Sequence, residues 1–198
     1  MIQTDEFLSE SINSKYYTPD EFIGAKLNKD SFTIFHLNIA SLQSHIDELR
    51  ALLLLLDYPF EIIGITETKI LEDHDPLVPI DIENYIFRSI PTKSNYGGSG
   101  IYFRNNIEFE IRKDLTKSEE NVGECIFAQI AHSSGKKIVV GVIYRHHTSI
   151  KNFVDTFLLD ILVKNSKKNK KFGFYSEMSM WIFLKLIFTM TPIIFTMY

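Results

Sequence analysis

The sequence predicts an α/β or α+β sandwich, in which helices cover the outer faces of two sheets. Residues 32–39 are rich in β-branched and aromatic side chains, which is typical of a buried strand. Residues 42–56 carry apolar side chains at three- and four-residue steps after a candidate N-cap at Ser41, and this spacing predicts an amphipathic helix. The apolar run from Phe60 to Thr66 is too short for a helix. We therefore expect a second strand, parallel to the first across a βαβ crossover.

The later part of the chain has the pattern of antiparallel strands followed by a helix. Turn-forming residues such as Asn105-Asn106 separate short apolar segments. The spacing of Phe153, Phe157 and Ile161 predicts a helix over residues 150–164. The expected strands are Tyr85–Ile90, Gly100–Arg104, Ile107–Arg112, Cys125–Ala131 and Ile138–Tyr144.

Composition narrows the class of protein. The chain has 198 residues, of which 45% are hydrophobic, and this is enough for one domain with a hydrophobic core. Residues 1–30 are mixed and polar, and we expect them to form an N-terminal arm that precedes the domain. Its net charge of -4 provides no bulk basic field, so a polyanionic partner would need local basic loops or a metal ion. The single cysteine, Cys125, excludes an internal disulfide and a thiolate zinc cage, and indicates a reducing intracellular compartment.

Two polar residues follow the first two predicted strands. Asn38 and Glu67 lie at or just beyond the carboxyl ends of strands that we expect to be neighbours, and α/β sheets bind ligands at that edge. A carboxylate beside an amide suits a hard cation such as Mg²⁺, which takes oxygen ligands and keeps several waters. On spacing alone the alternative is that Asn38 caps the following turn and Glu67 is solvated.

Other polar motifs favour structural interpretations. Residues 97–100, Gly-Gly-Ser-Gly, lack the lysine and the following helix of a phosphate-binding loop, and indicate a flexible entry into a strand. His146 and His147 are adjacent, so in a strand they would point to opposite faces and could not readily chelate one ion. Cys125 has no cationic neighbour in sequence, which favours a buried inert thiol over a nucleophile.

Four motifs occur in a distinctive order. They are Phe35-His36-Leu37-Asn38-Ile39-Ala40-Ser41-Leu42, then Ile63-Gly64-Ile65-Thr66-Glu67-Thr68, then Tyr96-Gly97-Gly98-Ser99-Gly100-Ile101-Tyr102, and then Gly141-Val142-Ile143-Tyr144-Arg145. In combination they resemble the apurinic/apyrimidinic-endonuclease-like domain of non-LTR (LINE-type) retrotransposons, which belongs to the endonuclease/exonuclease/phosphatase superfamily. The resemblance runs from about residue 16 to residue 171.

The resemblance implies a fold, a reaction and roles for individual residues. It implies a four-layer, two-sheet sandwich, incomplete at the C-terminus and partial over residues 31–175, whose Mg²⁺-dependent site nicks DNA by in-line attack of water on a phosphodiester. By motif, Asn38 would orient metal and substrate, Glu67 would ligate the metal, and Tyr144 would contact the scissile phosphate. Arg145 matches a strand-end arginine that would position the DNA backbone. The implied partner is DNA, with no small-molecule cofactor.

The chain departs from the family pattern after Lys171. The family has a strand ending in Gly-Asp-Phe-Asn, whose Asp and Asn handle the nucleophile and the transition state. Residues 174–179 read Phe-Tyr-Ser-Glu-Met-Ser instead, with Glu177 at best a displaced stand-in. The family's later Ser-Asp-His motif has no counterpart, and no histidine follows His147. We therefore expect weak or absent Mg²⁺ binding and a catalytically inactive copy.

Residues 176–198 form an aberrant apolar tail that a frameshift would explain. Met180 and Trp181 each have a single codon, so the frame that starts at the last base of the Met180 codon must read Val-Asp. The same frame across Met190 and Thr191 must read a second Asp. Its polar product resembles what the family places after Gly-Asp-Phe-Asn, which favours a frameshift between Lys171 and Met180.

Two other functions stay open on the sequence. One is a non-catalytic nucleic-acid-binding or interaction remnant. The other is a tail-anchored membrane protein, because residues 181–198 are nearly uncharged, although Lys185 and Pro192 interrupt them. The endonuclease interpretation predicts a nuclear or cytoplasmic monomer that aggregates readily, since missing C-terminal strands would expose sheet edges.

Overall fold

Two sheets pack face to face in this protein, with helices on their outer faces. The computed structural model describes residues 17–25, 32–72, 76–92, 96–131, 137–161, 163, 179–185 and 194–196. The elements are α1 (Pro19–Gly24), β1 (Thr33–Asn38), α2 (Leu42–Leu56), β2 (Ile62–Thr66), β3 (Tyr85–Ile90), β4 (Ser99–Arg104), β5 (Phe109–Ile111), β6 (Lys117–Glu119), β7 (Gly123–Ala131), β8 (Lys137–Arg145), α3 (Ile150–Asn152) with a π-helical continuation (Phe153–Leu158), β9 (Ser179–Lys185) and β10 (Ile194–Thr196).

The first sheet has the strand order β10-β1-β2-β4-β3. β1 and β2 run parallel and in register from Ile34 opposite Ile62 to Asn38 opposite Thr66, which confirms the predicted βαβ crossover through α2. β4 is antiparallel to both β2 and β3. The register brings the carboxyl ends of β1 and β2 to the same edge of the sheet.

The second sheet has the order β5-β7-β8-β9, and β6 also pairs with β7. β7 and β8 form a nine-residue antiparallel ladder from Gly123 opposite Arg145 to Ala131 opposite Lys137. The antiparallel arrangement predicted for this region is therefore confirmed. β9 adds to β8 in parallel.

Three apolar clusters separate four layers, which confirms the four-layer sandwich. The first cluster joins α1 and α2 to the first sheet, with Leu42, Leu49 and Phe35 nearly inaccessible. The second lies between the sheets, where Phe103 of β4 and Val142 of β8 both belong. The third covers the outer face of the second sheet with side chains such as Phe127, Ile143, Phe153, Phe157 and Ile161. Because successive side chains of a strand point to opposite faces of its sheet, each strand contributes side chains to two clusters.

The helices differ in detail from their predictions. α2 has the predicted bounds, but the Ser41 side chain makes no capping bond and its hydroxyl contacts that of Ser44 at 2.9 Å. α1 lies within the predicted N-terminal arm, begins with a capping box of Thr18 and Glu21, and buries Phe22 in the first cluster. The predicted helix from residue 150 changes to π-helical geometry at Phe153.

The apolar tail is described only in part. Residues 179–185 and 194–196 form β9 and β10, which add one strand to each sheet. Glu177, most of the stretch predicted to contain a frameshift, and most of the anchor candidate lie outside the described residues. Within the described part of the chain, none of the helices has the length and apolar character needed to cross a membrane. Cys125 is buried as predicted, and its thiol donates to the Leu115 carbonyl at 3.3 Å.

Candidate active site

Asn38 and Glu67 meet at the carboxyl ends of β1 and β2. The Asn38 Nδ2 donates to Glu67 Oε1 at 2.7 Å, while its Oδ1 accepts the Ala40 backbone N–H at 3.1 Å. Both ends of the amide are thus occupied, which fixes its orientation beside the carboxylate. Glu67 lies in the left-handed region with φ of 58°, directly after β2. The site therefore depends on a local bend as well as on the sheet register.

Tyr144 reaches the same point from the second sheet. It lies near the end of β8, is 4% exposed, and its hydroxyl hydrogen-bonds the Glu67 side chain. Burial raises the pKa of Tyr144 most, and the nearby Glu67 carboxylate raises it further. The phenol is thus protonated at neutral pH. Asn38, Glu67 and Tyr144, here named the Glu67 cluster, bring three predicted site residues together across both sheets.

Arg145 has a different environment from Tyr144. Adjacent residues of a strand point to opposite faces, so the two side chains diverge. The Arg145 guanidinium donates to the Thr148 carbonyl in the loop that follows β8. Its predicted contact with a DNA backbone stays a prediction.

A second polar cluster, not expected from the sequence, adjoins the first. It consists of Gly97, Gly98, Glu124 and His146, here named the Glu124 cluster. Glu124 is fully buried on β7, directly opposite Tyr144 in the ladder, and its Oε1 accepts the Gly98 N–H. Burial raises the pKa of the Glu124 carboxyl to about 7, although the Gly98 bond acts in the opposite direction.

His146 closes the Glu124 cluster on the side of Tyr144. Its ring is 5% exposed and meets the Tyr144 ring edge-on, with 5.2 Å between centroids. Burial lowers the pKa of His146, and His147 lowers it further. Among the residues that the structure describes, no group of three or more His, Cys, Asp or Glu side chains could hold a metal ion.

The glycines of this cluster form an ordered turn. Gly97 and Gly98 have φ of +88° and +87°, a conformation that glycine adopts without a side-chain clash. Their carbonyls accept the backbone N–H groups of Lys69 at 2.9 Å and Thr68 at 3.0 Å. The sequence predicts only a flexible strand entry here, whereas the structure bonds the turn to the segment that follows Glu67.

The side chains of the Glu67 cluster that could face a metal ion suit a hard cation. They comprise one carboxylate, one amide and one phenol, with no thiolate. Mg²⁺ usually takes one or two protein carboxylates and retains several waters. Glu67 could hold such an ion only weakly, because it is the one carboxylate of the cluster, and the Asn38 amide that bonds it fixes the orientation of that carboxylate.

Solved structures of known proteins have a similar fold. No protein-family model matches the chain, and no curated protein sequence does. An AP endonuclease from Leishmania major is similar in structure with a TM-score of 0.56 and 13% identity, over 83% of this chain and 60% of that one. The human Nocturnin catalytic domain is similar with a TM-score of 0.52 and 12% identity, over 73% of this chain and 60% of that one.

The fold is of the endonuclease/exonuclease/phosphatase type. At these identities the similarity concerns the fold, and superfamily folds host several chemistries. The chain spans 60% of the length of each of the two structures.

Proposed function

We propose that the chain derives from the Mg²⁺-dependent DNA endonuclease of a LINE-type retrotransposon and no longer turns over. It keeps the part of the site that would hold the metal and contact a phosphate, without the groups that activate the attacking water. The observation that carries the proposal is the Glu67 cluster, which joins the ends of β1, β2 and β8 through two side-chain hydrogen bonds. The superfamily fold around it supports the same interpretation.

Each residue of the Glu67 cluster has a distinct chemical task in this proposal. Glu67 would hold Mg²⁺, which when bound supplies a Lewis acid toward a phosphate oxygen. Asn38 fixes the orientation of the Glu67 carboxylate through its 2.7 Å bond. Tyr144 is protonated at neutral pH and donates its one O–H to Glu67 in this structure, and it would transfer that hydrogen bond to a phosphate oxygen once Mg²⁺ draws on the Glu67 carboxylate.

The loss of turnover follows from the sequence after Lys171. The family's Asp and Asn of Gly-Asp-Phe-Asn have no counterpart among residues 172–179. Removing one group that stabilises a transition state costs about 2.7–4 kcal/mol of barrier, or about 10²–10³ in rate. Losing the group that activates water as well should lower the rate further, below a detectable level.

Nicking of supercoiled plasmid in Mg²⁺ tests the proposal. We expect the purified protein to nick no faster than its Glu67→Ala variant. Nicking that Glu67→Ala abolishes would show an active enzyme and contradict the loss of turnover. Salt-dependent DNA affinity without nicking would identify the binding remnant, since phosphate contacts release counterions.

The retrotransposon origin has a separate test. The nucleotide sequence across codons 165–198 and beyond, read in the shifted frame, should encode a Gly-Asp-Phe-Asn-like segment near codon 176. The absence of such a segment in every frame would remove the frameshift, and the fold would be unaffected.

A further inference from the structure

Glu124 is a buried acidic residue that the proposed chemistry does not use. Its side chain is 0% exposed, and its Oε2 has no hydrogen-bond partner among the described residues. A buried carboxyl costs free energy unless its polar atoms are satisfied. Among the described residues its carboxyl accepts one hydrogen bond, from the Gly98 N–H, so packing alone does not account for its position.

That hydrogen bond leads in two steps to the backbone beside Glu67. Glu124 accepts from the Gly98 N–H, and the Gly98 carbonyl accepts from the Thr68 N–H at 3.0 Å. The Gly97 carbonyl accepts from the Lys69 N–H at 2.9 Å. The diglycine turn thus holds both residues that follow Glu67, on a segment where Glu67 and Lys69 have φ of 58° and 53°.

Glu124 also supports the Glu67 cluster from the second sheet. Glu124 and Tyr144 are direct partners in the antiparallel β7–β8 ladder, so their side chains share one face. Directly opposed residues of an antiparallel ladder have Cβ atoms about 4.5–5.5 Å apart, so the two groups are close. One buried carboxyl therefore contacts the turn that holds Glu67 and neighbours the phenol that bonds it.

We infer that Glu124 is a positioning residue of the candidate active site, which fixes the backbone that carries Glu67 through its hydrogen bond to the Gly97–Gly98 turn. The inference rests on the proposed function in that it assigns Glu67 to the site. Its structural content, a bond from Glu124 that fixes residues 67–69, can be tested without activity.

Amide hydrogen exchange of the folded protein tests this inference. In Glu124→Ala the Gly98 N–H loses its acceptor, so we expect Thr68, Lys69 and Gly98 to exchange at least about ten-fold faster, the change for one lost hydrogen bond of ordinary strength. Glu124→Gln retains a carbonyl oxygen at Oε1, so it should preserve the protection. Glu124→Asp retracts the carboxyl by one methylene and should lose it, and this variant serves if the alanine variant does not fold.

Cys125→Ala is the matched control. Cys125 neighbours Glu124 on β7, points to the opposite face and packs in the outer cluster of the second sheet. The Cys125→Ala variant should have a lower unfolding free energy without a selective change in the amide exchange rates of Thr68 and Lys69. Unchanged exchange at Thr68 and Lys69 in folded Glu124→Ala or Glu124→Asp would overturn the inference, as would equal acceleration in Glu124→Gln.

Mn²⁺ titration of the same variants separates this inference from the proposed function. We expect Glu124→Ala to weaken Mn²⁺ binding about ten-fold and Glu124→Gln to leave it near wild type, as for groups that orient metal ligands. Suppose that the wild type binds no Mn²⁺ while Glu124→Ala still accelerates hydrogen exchange of the Thr68 amide. The positioning role then stands, and the metal site of the proposed function fails. If Mn²⁺ binds to the wild type and Glu124→Ala changes neither measurement, the proposed site stands and the positioning role fails.

Discussion

The Glu67 cluster and the Glu124 cluster adjoin each other but differ in how their polar groups are satisfied. In the first, both ends of the Asn38 amide are bonded and the Glu67 carboxylate is half-buried. In the second, Glu124 and His146 are nearly inaccessible, and Glu124 Oε2 and His146 Nδ1 have no hydrogen-bond partner among the described residues. In our proposal the first cluster meets a ligand and the second holds the first in place.

The largest expected effect breaks the turn between the two clusters. Gly98→Ala would force an alanine to φ of +87° and place its Cβ 3.0 Å from the Lys69 nitrogen. Backbone strain and overpacking each cost about 1–3 kcal/mol, so we expect a loss of about 2–6 kcal/mol in unfolding free energy, measured by urea denaturation.

Gly24→Ala is the control for that substitution. A Cβ at Gly24, the last residue of α1, meets nothing within 4 Å. Its unfolding free energy should stay within about 1 kcal/mol of wild type, since alanine is the better helix former. A Gly98→Ala protein as stable as Gly24→Ala would show that the turn does not adopt the described conformation.

The next effect is a dependence of stability on pH that Glu124 contributes. Its carboxyl has a pKa of about 7 in the folded protein against an ordinary 4.5, so the folded state holds a proton that the unfolded chain releases. The contribution of this proton to the unfolding free energy is fully present below about pH 4.5 and is lost as the pH rises through about 7. At 1.36 kcal/mol per pKa unit, the unfolding free energy differs by about 3 kcal/mol between the two limits.

Glu124→Gln isolates that contribution. The lowered pKa of His146 acts in the opposite direction, since a neutral histidine is favoured on folding and stability rises with pH through its titration. Because His146 is present in both proteins, its contribution cancels in the difference between the unfolding free energies of wild type and Glu124→Gln. Parallel stability curves for the two proteins between about pH 4 and pH 8 would contradict the raised pKa.

The smallest effect concerns the Glu67 cluster. Asn38→Ala removes the bonds to Glu67 and to the Ala40 N–H, and each such bond contributes about 0.5–1.5 kcal/mol net. We expect a loss of about 1–2 kcal/mol in unfolding free energy by urea denaturation. Asn106→Ala, in the exposed turn after β4, should change it by less than about 0.5 kcal/mol. Equal effects of the two substitutions would show that Asn38 is not bonded as described.

The Glu67 cluster could be predicted from the sequence, whereas the Glu124 cluster could not. Asn38 ends one strand and Glu67 directly follows another, and the apolar run of each strand is visible in the sequence. Parallel neighbours end at one edge of a sheet, so the convergence of the two residues was predictable. Glu124 gains its role only from its register opposite Tyr144 and from a turn 26 residues earlier. The one signal available was an acidic residue at the start of an otherwise apolar strand.

The same limit applies to the elements of the fold. The strongly periodic α2 was predicted with its bounds, because its apolar spacing repeats over four turns. β6 was missed because Lys117-Ser118-Glu119 has no alternation, and the strand exists through its pairing with β7. α1 was treated as part of an arm although Thr18 and Glu21 form a capping box, a signal that the sequence does contain.

The proposed function requires that the ends of β1, β2 and β8 form one cation site through Glu67. Mn²⁺ titration followed by electron paramagnetic resonance of the free ion tests it most directly, with Glu108→Gln as an exposed carboxylate control of equal charge change. We expect weak, saturable binding to the wild type and to Glu108→Gln, and affinity lowered at least about ten-fold in Glu67→Gln, because one carboxylate supplies the protein's charge to the ion. Equal affinity in all three proteins, or no saturable binding to the wild type, would contradict the claim.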